Sequence, residues 1–71
     1  MKINYYSETD SLYIDLSSKP STDSNEVAEG VVLDYGSDGS LVGIDIDNAK
    51  NKLDLDELVL NHLPVHKQTV S

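Results

Sequence analysis

The chain has 71 residues, with five basic and 13 acidic side chains, a formal net charge of −8 and no cysteine. A chain of this length forms one domain that buries only about 60% of its unfolded surface, and the composition excludes disulfides and a Cys/His zinc site, which leaves self-association as a means of stabilisation. The negative charge repels phosphate backbones and anionic lipids, so no nucleic acid and no membrane is expected as a partner.

Two strands joined by a four-residue turn are predicted at the N-terminus. Apolar residues alternate with polar ones, as is typical of half-buried strands, at Ile3, Tyr5, Leu12, Ile14 and Leu16. With residues 7–10 as the turn, the apolar residues of both strands share one face. The predicted cross-strand pairs are Tyr5 with Leu12, Ile3 with Ile14, and Lys2 with Asp15.

The middle of the chain begins with a polar segment. Residues 17–25 have no periodicity and predict one long loop. After it, Val27, Glu29 and Val31 share parity, which would bury Glu29 in a regular strand. A glycine inside a strand pattern often marks a bulge, and a bulge at Gly30 would return Glu29 to solvent.

The dipeptide Asp38-Gly39 between two apolar runs predicts a second hairpin. It favours a two-residue loop in which both residues have positive φ. The predicted pairs are Tyr35 with Val42, Leu33 with Ile44 and Val31 with Ile46 on the apolar face, and Asp34 with Gly43 and Val32 with Asp45 on the other. A slip of one residue would mix the two sets, so the apolar pattern determines the register.

A short helix is predicted near the C-terminus. Asp54 and Glu57 have the spacing of a capping box. One helical stripe is formed by Leu55, Leu58, Val59, His62 and Leu63. Pro64 ends this helix, and residues 48–51 predict a single helical turn between it and the sheet.

The predicted fold class is α+β, with about four antiparallel strands in a meander and one short C-terminal helix packed on one sheet face. Residues 1–63 form a single small β-rich domain, and residues 64–71 form a flexible tail. A helix of about ten residues covers only part of a face about 20 Å wide, so we predict a homodimer in which a second copy covers the rest. The lack of an apolar leader, of a long apolar run and of cysteine predicts a cytoplasmic location.

Acidic residues are the main candidates for function. In the predicted registers they share the non-core face of the sheet with two tyrosines. The candidates for an interaction surface are Tyr6, Tyr13, Asp15, Asp34, Asp45 and Asp47. Such a patch could bind a basic protein, could hold a divalent cation through several oxygen ligands, or could do no more than solvate an open sheet face.

Motifs for catalysis or for a bound cofactor are not found. His62 and His66 have the four-residue spacing of zinc ligands, but Pro64 between them breaks the helix that would align them. The segment around Asp38 lacks the bidentate glutamate of a calcium loop, and the chain has neither a nucleophile elbow nor a glycine-rich phosphate loop. No catalytic residue, metal site or cofactor is predicted, and the enzyme hypothesis has no positive support.

Several strand motifs together resemble a family of small bacterial and archaeal proteins, the domain of unknown function 2283. The matching residues are Met1-Lys2-Ile3 with Tyr5, Asp10 to Ile14 with Leu16, Glu26, Gly30 to Tyr35, Asp38-Gly39, and Leu41 to Ile44. The resemblance covers the chain from Met1 to about Ala49, and it implies a β-rich fold without implying an activity. Some relatives are suspected of accompanying small toxin-like proteins, so the resemblance also implies an acidic partner for a basic toxin.

Three functional hypotheses follow. The first is a non-catalytic protein-interaction module, in its sharpest form an antitoxin-like partner of a basic small protein. The second is a small divalent-cation-binding or acid/base enzyme that uses Asp15, Asp34 and Asp45, whose pKa values would have to be separated. The third is a purely structural homo-oligomeric unit.

Overall fold

A computed structural model of the protein describes residues 1–55, 57 and 61. Their elements are β1 (Lys2–Tyr6), β2 (Ser11–Asp15), β3 (Asp23–Ala28), β4 (Val31–Tyr35), β5 (Leu41–Ile46) and the short helix α1 (Ala49–Lys52). The five strands form one antiparallel sheet in the order β1-β2-β5-β4-β3. The last strand in the sequence is therefore the central strand of the sheet.

The predicted meander is wrong, because β5 lies between β2 and β4. The connection from β2 to β3 crosses the end of the sheet, where the Leu16 N–H donates to the Val42 carbonyl (2.9 Å) and the Thr22 N–H donates to the Tyr35 carbonyl (2.8 Å). Apolar β5 gains a neighbour on each side, whereas polar β3 takes an edge, where charged side chains remain solvated.

The structure has five strands rather than about four. The additional strand, β3, takes residues 23–25 from the segment predicted as a loop over residues 17–25. All six of its side chains are exposed. A strand that is exposed on both faces needs no apolar alternation, so its sequence carries no period of two.

The first hairpin confirms the predicted register. Its pairs include Lys2 with Asp15, Ile3 with Ile14, and Tyr5 with Leu12. The four-residue turn is closed by the Thr9 N–H, which donates to the Tyr6 carbonyl (3.3 Å). Asp10 ends the turn with a φ of 54°.

The second hairpin confirms the predicted register but not the predicted turn. Four pairs agree: Val31 with Ile46, Val32 with Asp45, Leu33 with Ile44, and Asp34 with Gly43. In the turn only Gly39 of the dipeptide has a positive φ (82°). The Gly39 N–H donates to the Gly36 carbonyl (3.0 Å) and the Gly36 N–H to the Ser40 carbonyl (2.8 Å), as in a three-residue loop that ends in a glycine bulge.

The longer loop moves one predicted pair. Tyr35 lies opposite Leu41 rather than Val42, and the register shifts between Asp34 and Tyr35. The extra residue in the loop would by itself shift the pairing of β4 with β5 by one position. The register shift between Asp34 and Tyr35 compensates for it and restores the alignment of the apolar rows.

The bulge predicted at Gly30 lies instead at Val27, where the register shifts between Glu26 and Ala28. Gly30 has a φ of 73° and forms, with Glu29, the two-residue turn between β3 and β4. Glu29 is exposed, as predicted.

Apolar side chains of four strands share one side of the sheet, which we call the apolar face. It consists of Ile3, Tyr5, Leu12, Ile14, Val31, Leu33, Ile44 and Ile46. The buried hydrophobic residues of the described part of the chain are Leu12, Val42 and Ala49. The sheet therefore forms only half of a core.

The predicted single helical turn is confirmed as α1, with Asn48 at its N-cap. The helix predicted from Asp54 to Leu63 is wrong at its described residues, because the chain is extended at Leu53, and Asp54, Leu55, Glu57 and Asn61 lie in no helix. Its other residues lie outside the described part of the chain, as do His62, His66 and the predicted tail at residues 64–71. Among residues 1–55, 57 and 61, no helix is long and apolar enough to cross a membrane.

Candidate functional site

The side of the sheet opposite the apolar face carries the predicted aspartates, and we call it the acidic face. Its positions form two rows across the five strands: Lys2, Asp15, Gly43, Asp34 and Ser24 in one, and Asn4, Tyr13, Asp45, Val32 and Glu26 in the other. Adjacent strands lie about 4.8 Å apart. The three central strands therefore bring one aspartate each to the same small area, on the face that the sequence pattern predicted.

Tyr13 crosses the middle of this face. Its side chain extends from β2 over Gly43 of β5, and its hydroxyl donates a hydrogen bond to Asp34 Oδ2 on β4 (3.1 Å). A Cβ atom at position 43 would overlap the Tyr13 hydroxyl and lie 2.6 Å from its Cζ. Glycine at position 43 is therefore a steric requirement of the Tyr13–Asp34 hydrogen bond.

Asp34 is held from both sides. Its second carboxylate oxygen, Oδ1, accepts a hydrogen bond from the Ser24 hydroxyl on β3 (2.7 Å). The side chains of Tyr13, Asp34 and Ser24 thus form a hydrogen-bonded series. This series joins β2 to the edge strand β3 across β5 and β4. Because both donors are neutral, this network satisfies the carboxylate without cancelling its charge.

The surroundings of Tyr13 raise the pKa of its phenol above 10.0. Burial is the largest cause, followed by the hydrogen bond to Asp34 and the negative charges of Asp34, Asp15 and Asp45. Near neutral pH the side chain is a neutral hydrogen-bond donor rather than a base. The face thus offers an apolar ring in its centre with carboxylates around it.

The pKa of Asp45 is raised from 3.8, first by burial and then by the charges of Asp47 and Asp34. A raised carboxyl pKa means that the folded state disfavours the charged form. The stability of the protein should therefore fall as the pH rises from the ordinary pKa through the raised one.

Asp45→Asn is expected to be more stable than the wild type at pH 7 and equally stable at about pH 3, where Asp45 is protonated in both the folded and unfolded states. Urea unfolding at the two pH values measures the difference. Glu8→Gln removes one charge from an exposed turn and should change stability by less than about 0.5 kcal/mol. If Asp45→Asn and Glu8→Gln changed the free energy of unfolding equally at pH 7, the destabilisation would not come from the burial of Asp45 and its repulsion by Asp47 and Asp34.

The two remaining candidates lie at one end of the acidic face. Tyr6 ends β1 opposite Ser11, with its side chain 54% exposed. Asp47 follows β5 and accepts a hydrogen bond from the Ser11 hydroxyl (3.1 Å).

Two residues of the acidic face were not predicted from the sequence. Ser24 was missed because strand β3 was not predicted. The steric role of Gly43 was also missed, although a glycine in the middle of a strand often indicates such a close approach.

The carboxylates of the acidic face have no cationic partner within the described part of the chain. The ion pair present there joins Lys19 to Asp38 (2.7 Å), in two loops at the end of the sheet. The register places Lys2 opposite Asp15, as predicted, but they form no ion pair. Across residues 1–55, 57 and 61, no three acidic or imidazole side chains are grouped so that they could hold a metal ion.

Comparison with known families gives one match. Residues 2–50 match the family described as protein of unknown function (DUF2283). No curated protein and no solved structure matches the chain. The matched residues contain all five strands and therefore both faces of the sheet, and the match confirms the resemblance carried by the strand motifs. The chain belongs to the DUF2283 family of proteins of unknown function.

Proposed function

We propose that this protein is a non-catalytic interaction module whose acidic face binds a basic protein. The observation that carries the proposal is the alignment of Asp15, Asp45 and Asp34 on three adjacent strands, without a neutralising cation among the described residues. A partner that supplies lysine or arginine side chains would relieve the repulsion between these carboxylates. Arginine is favoured because its guanidinium can bond a carboxylate through two parallel hydrogen bonds.

The composition of the face supports a protein as the partner rather than a small ion. Tyr13 and Val32 lie between the aspartates and offer apolar area that a macromolecular surface can cover. Tyrosine is enriched in protein interfaces because it combines area with a polar tip. The hydrogen bond to Asp34 holds the Tyr13 ring in place, so little side-chain entropy is lost when it is covered.

The antitoxin-like form of this proposal takes a small basic toxin as the partner. A chain with a net charge of −8 attracts such a partner over long distances, which speeds encounter and makes the rate sensitive to salt. The alternative enzyme or cation-binding function at the same face, and the purely structural role, stay predictions, since no observation on the acidic face favours either.

We expect the tagged protein to retain a basic protein from a native lysate at about 50 mM salt and to release it at about 0.5 M. The partner, identified by mass spectrometry and purified, should bind Asp15→Asn/Asp45→Asn at least about tenfold more weakly than the wild type in a direct titration. Asp34 is left intact in this variant because its hydrogen bonds connect β4 to Tyr13 of β2 and to Ser24 of β3.

The matched control is Glu8→Gln/Glu29→Gln, which removes the same two charges from exposed turns outside the acidic face. It should keep most of the affinity. Equal losses in the two variants would show that only net charge matters, and binding that does not respond to salt would overturn the proposal.

A further inference from the structure

We propose that two copies of this chain pack against each other through their apolar faces. Eight uncharged side chains of β1, β2, β4 and β5 form this face, and of these Leu12 alone is buried, at 9% exposure. The others, including Ile14 and Ile44 at the centre of one row, stay partly exposed. A contiguous apolar surface of this kind marks an interaction site on a small protein.

Burial of the apolar face would stabilise the fold. Within the described residues the buried hydrophobic side chains are Leu12, Val42 and Ala49, and the chain has no cysteine for a disulfide. These three side chains alone offset little of the conformational entropy that the described part of the chain loses on folding. A partner that adds to this burial must be present wherever the chain is made, and a second copy always meets this condition.

Charge determines which face can meet its own copy. The acidic face presents Asp15, Asp34 and Asp45 and would repel a second acidic face. The eight residues of the apolar face are uncharged, although Asp23 of the edge strand β3 lies on the same side of the sheet. A two-fold axis would bring the same rows of both copies together. The product is a sandwich of two twisted sheets about 10 Å apart, with the carboxylates on both outer surfaces.

The dimensions of the face predict a weak dimer. Four strands about 4.8 Å apart and five residues long cover about 19 by 17 Å. A contact of this size is smaller than the roughly 800 Å² per partner of a standard interface, so the dimer should be weak and should form only at high protein concentration.

Sedimentation equilibrium of the full chain at roughly 10 to 500 µM tests the proposal. The expected mass at the upper end is twice the 7.8 kDa of one chain. Salt should strengthen the dimer, because it screens the repulsion between two copies that each carry a charge of −8. Binding of a basic protein to the acidic face should respond to salt in the opposite sense, so the two proposals can fail independently.

A pair of substitutions in adjacent residues of β4 locates the contact. Leu33→Asn places an amide on the apolar face, and Val32→Asn places the same amide on the acidic face. We expect Leu33→Asn to raise the dissociation constant at least about tenfold and Val32→Asn to leave it within about twofold. Circular dichroism of both variants verifies that the sheet is formed.

A measurement without substitution covers the case in which Leu33→Asn does not fold. In a mixture of isotope-labelled and unlabelled chains, filtered NOE spectra should show contacts between methyl groups of Leu33, Ile14 and Ile44 of one copy and apolar residues of the other. A monomeric mass at 0.5 mM and high salt would overturn the proposal. So would contacts of these methyl groups with residues 54–71 of the same chain alone, or a dimer whose intermolecular contacts lie on the acidic face.

Discussion

Gly43→Ala is expected to lower the free energy of unfolding by about 2 kcal/mol, although alanine in a strand is ordinarily more favourable than glycine. The new Cβ would occupy the space of the Tyr13 hydroxyl, so the ring has to leave its position over β5. That movement breaks the hydrogen bond to Asp34 and leaves a half-buried carboxylate with one donor, Ser24. For a domain of this length the loss corresponds to a fall in Tm of about 10 °C.

A double-mutant cycle separates this clash from a general intolerance of the strand. Tyr13→Ser removes the ring, so Gly43→Ala should be neutral or slightly stabilising in that background, and the coupling energy should approach about 2 kcal/mol. Urea unfolding of the four proteins gives the cycle. If Gly43→Ala costs as much without the ring as with it, the contact with Tyr13 is not the reason for glycine.

Gly39→Ala provides a second comparison, because it separates backbone strain from side-chain contact. Gly39 has a φ of 82°, and no heavy atom lies within 4 Å of a Cβ built there. We expect a cost of about 1 kcal/mol from the left-handed conformation alone. This cost should be unchanged by Tyr13→Ser, in contrast to that of Gly43→Ala.

The registers of both hairpins could be predicted because each strand buries one face. In a strand with one apolar side, a slip by one residue exposes every large side chain, so the correct pairing of Leu33 with Ile44 or of Ile3 with Ile14 differs sharply from its alternatives. The shared face of Asp15, Asp34 and Asp45 follows from the same alternation. This part of the candidate site was therefore predictable.

The turn at Asp38-Gly39 could not be predicted from the dipeptide alone, since the same two residues fit loops of two or three residues. The longer loop is stabilised by contacts outside the dipeptide. Asp38 Oδ1 accepts hydrogen bonds from the Ser40 N–H (3.1 Å) and hydroxyl (2.6 Å), and Lys19 pairs with Oδ2. These contacts hold the pKa of Asp38 well below its usual range, with the hydrogen bond from Lys19 as the largest cause.

Strand order and the side-chain network of the acidic face depend on contacts that are distant in the sequence. The sequence of β3 has no alternation because all of its side chains are exposed. Without β3, the hydrogen bond from Ser24 to Asp34 cannot be foreseen. The reach of Tyr13 over Gly43 likewise depends on β2 pairing with β5, which a meander would not allow.

Asp10 joins the first hairpin to helix α1, and its replacement should destabilise this junction. Its carbonyl accepts a hydrogen bond from the Ala49 N–H (3.0 Å), and its carboxylate accepts one from the Lys50 N–H (3.2 Å). Asn48, at the N-cap of α1, makes no side-chain capping bond. Asp10 therefore caps a helix that begins almost 40 residues later in the chain.

Asp10→Ala is expected to cost about 2 kcal/mol, with roughly equal parts from the lost cap and from alanine at a φ of 54°. Asp10→Gly tolerates the positive φ but lacks the carboxylate, so it should cost about 1 kcal/mol. Asp10→Asn keeps an oxygen acceptor and tolerates the left-handed conformation, so it should cost least. Urea unfolding ranks the three variants.

The phenol of Tyr5 reports on the same junction independently of stability. Its hydroxyl donates to Asp10 Oδ1 (2.8 Å), and this hydrogen bond is the largest cause of the raised pKa of Tyr5, ahead of burial and the charge of Asp10. In Asp10→Gly the pKa of Tyr5 should therefore fall toward 10.0, which ultraviolet titration detects, with Tyr5→Phe to assign the signal. An unchanged titration, together with wild-type stability of Asp10→Gly, would mean that the carboxylate does not hold α1 against the sheet. A lowered pKa of Tyr5, together with the stability order given above, would identify Asp10 as the residue that holds α1 to the first turn.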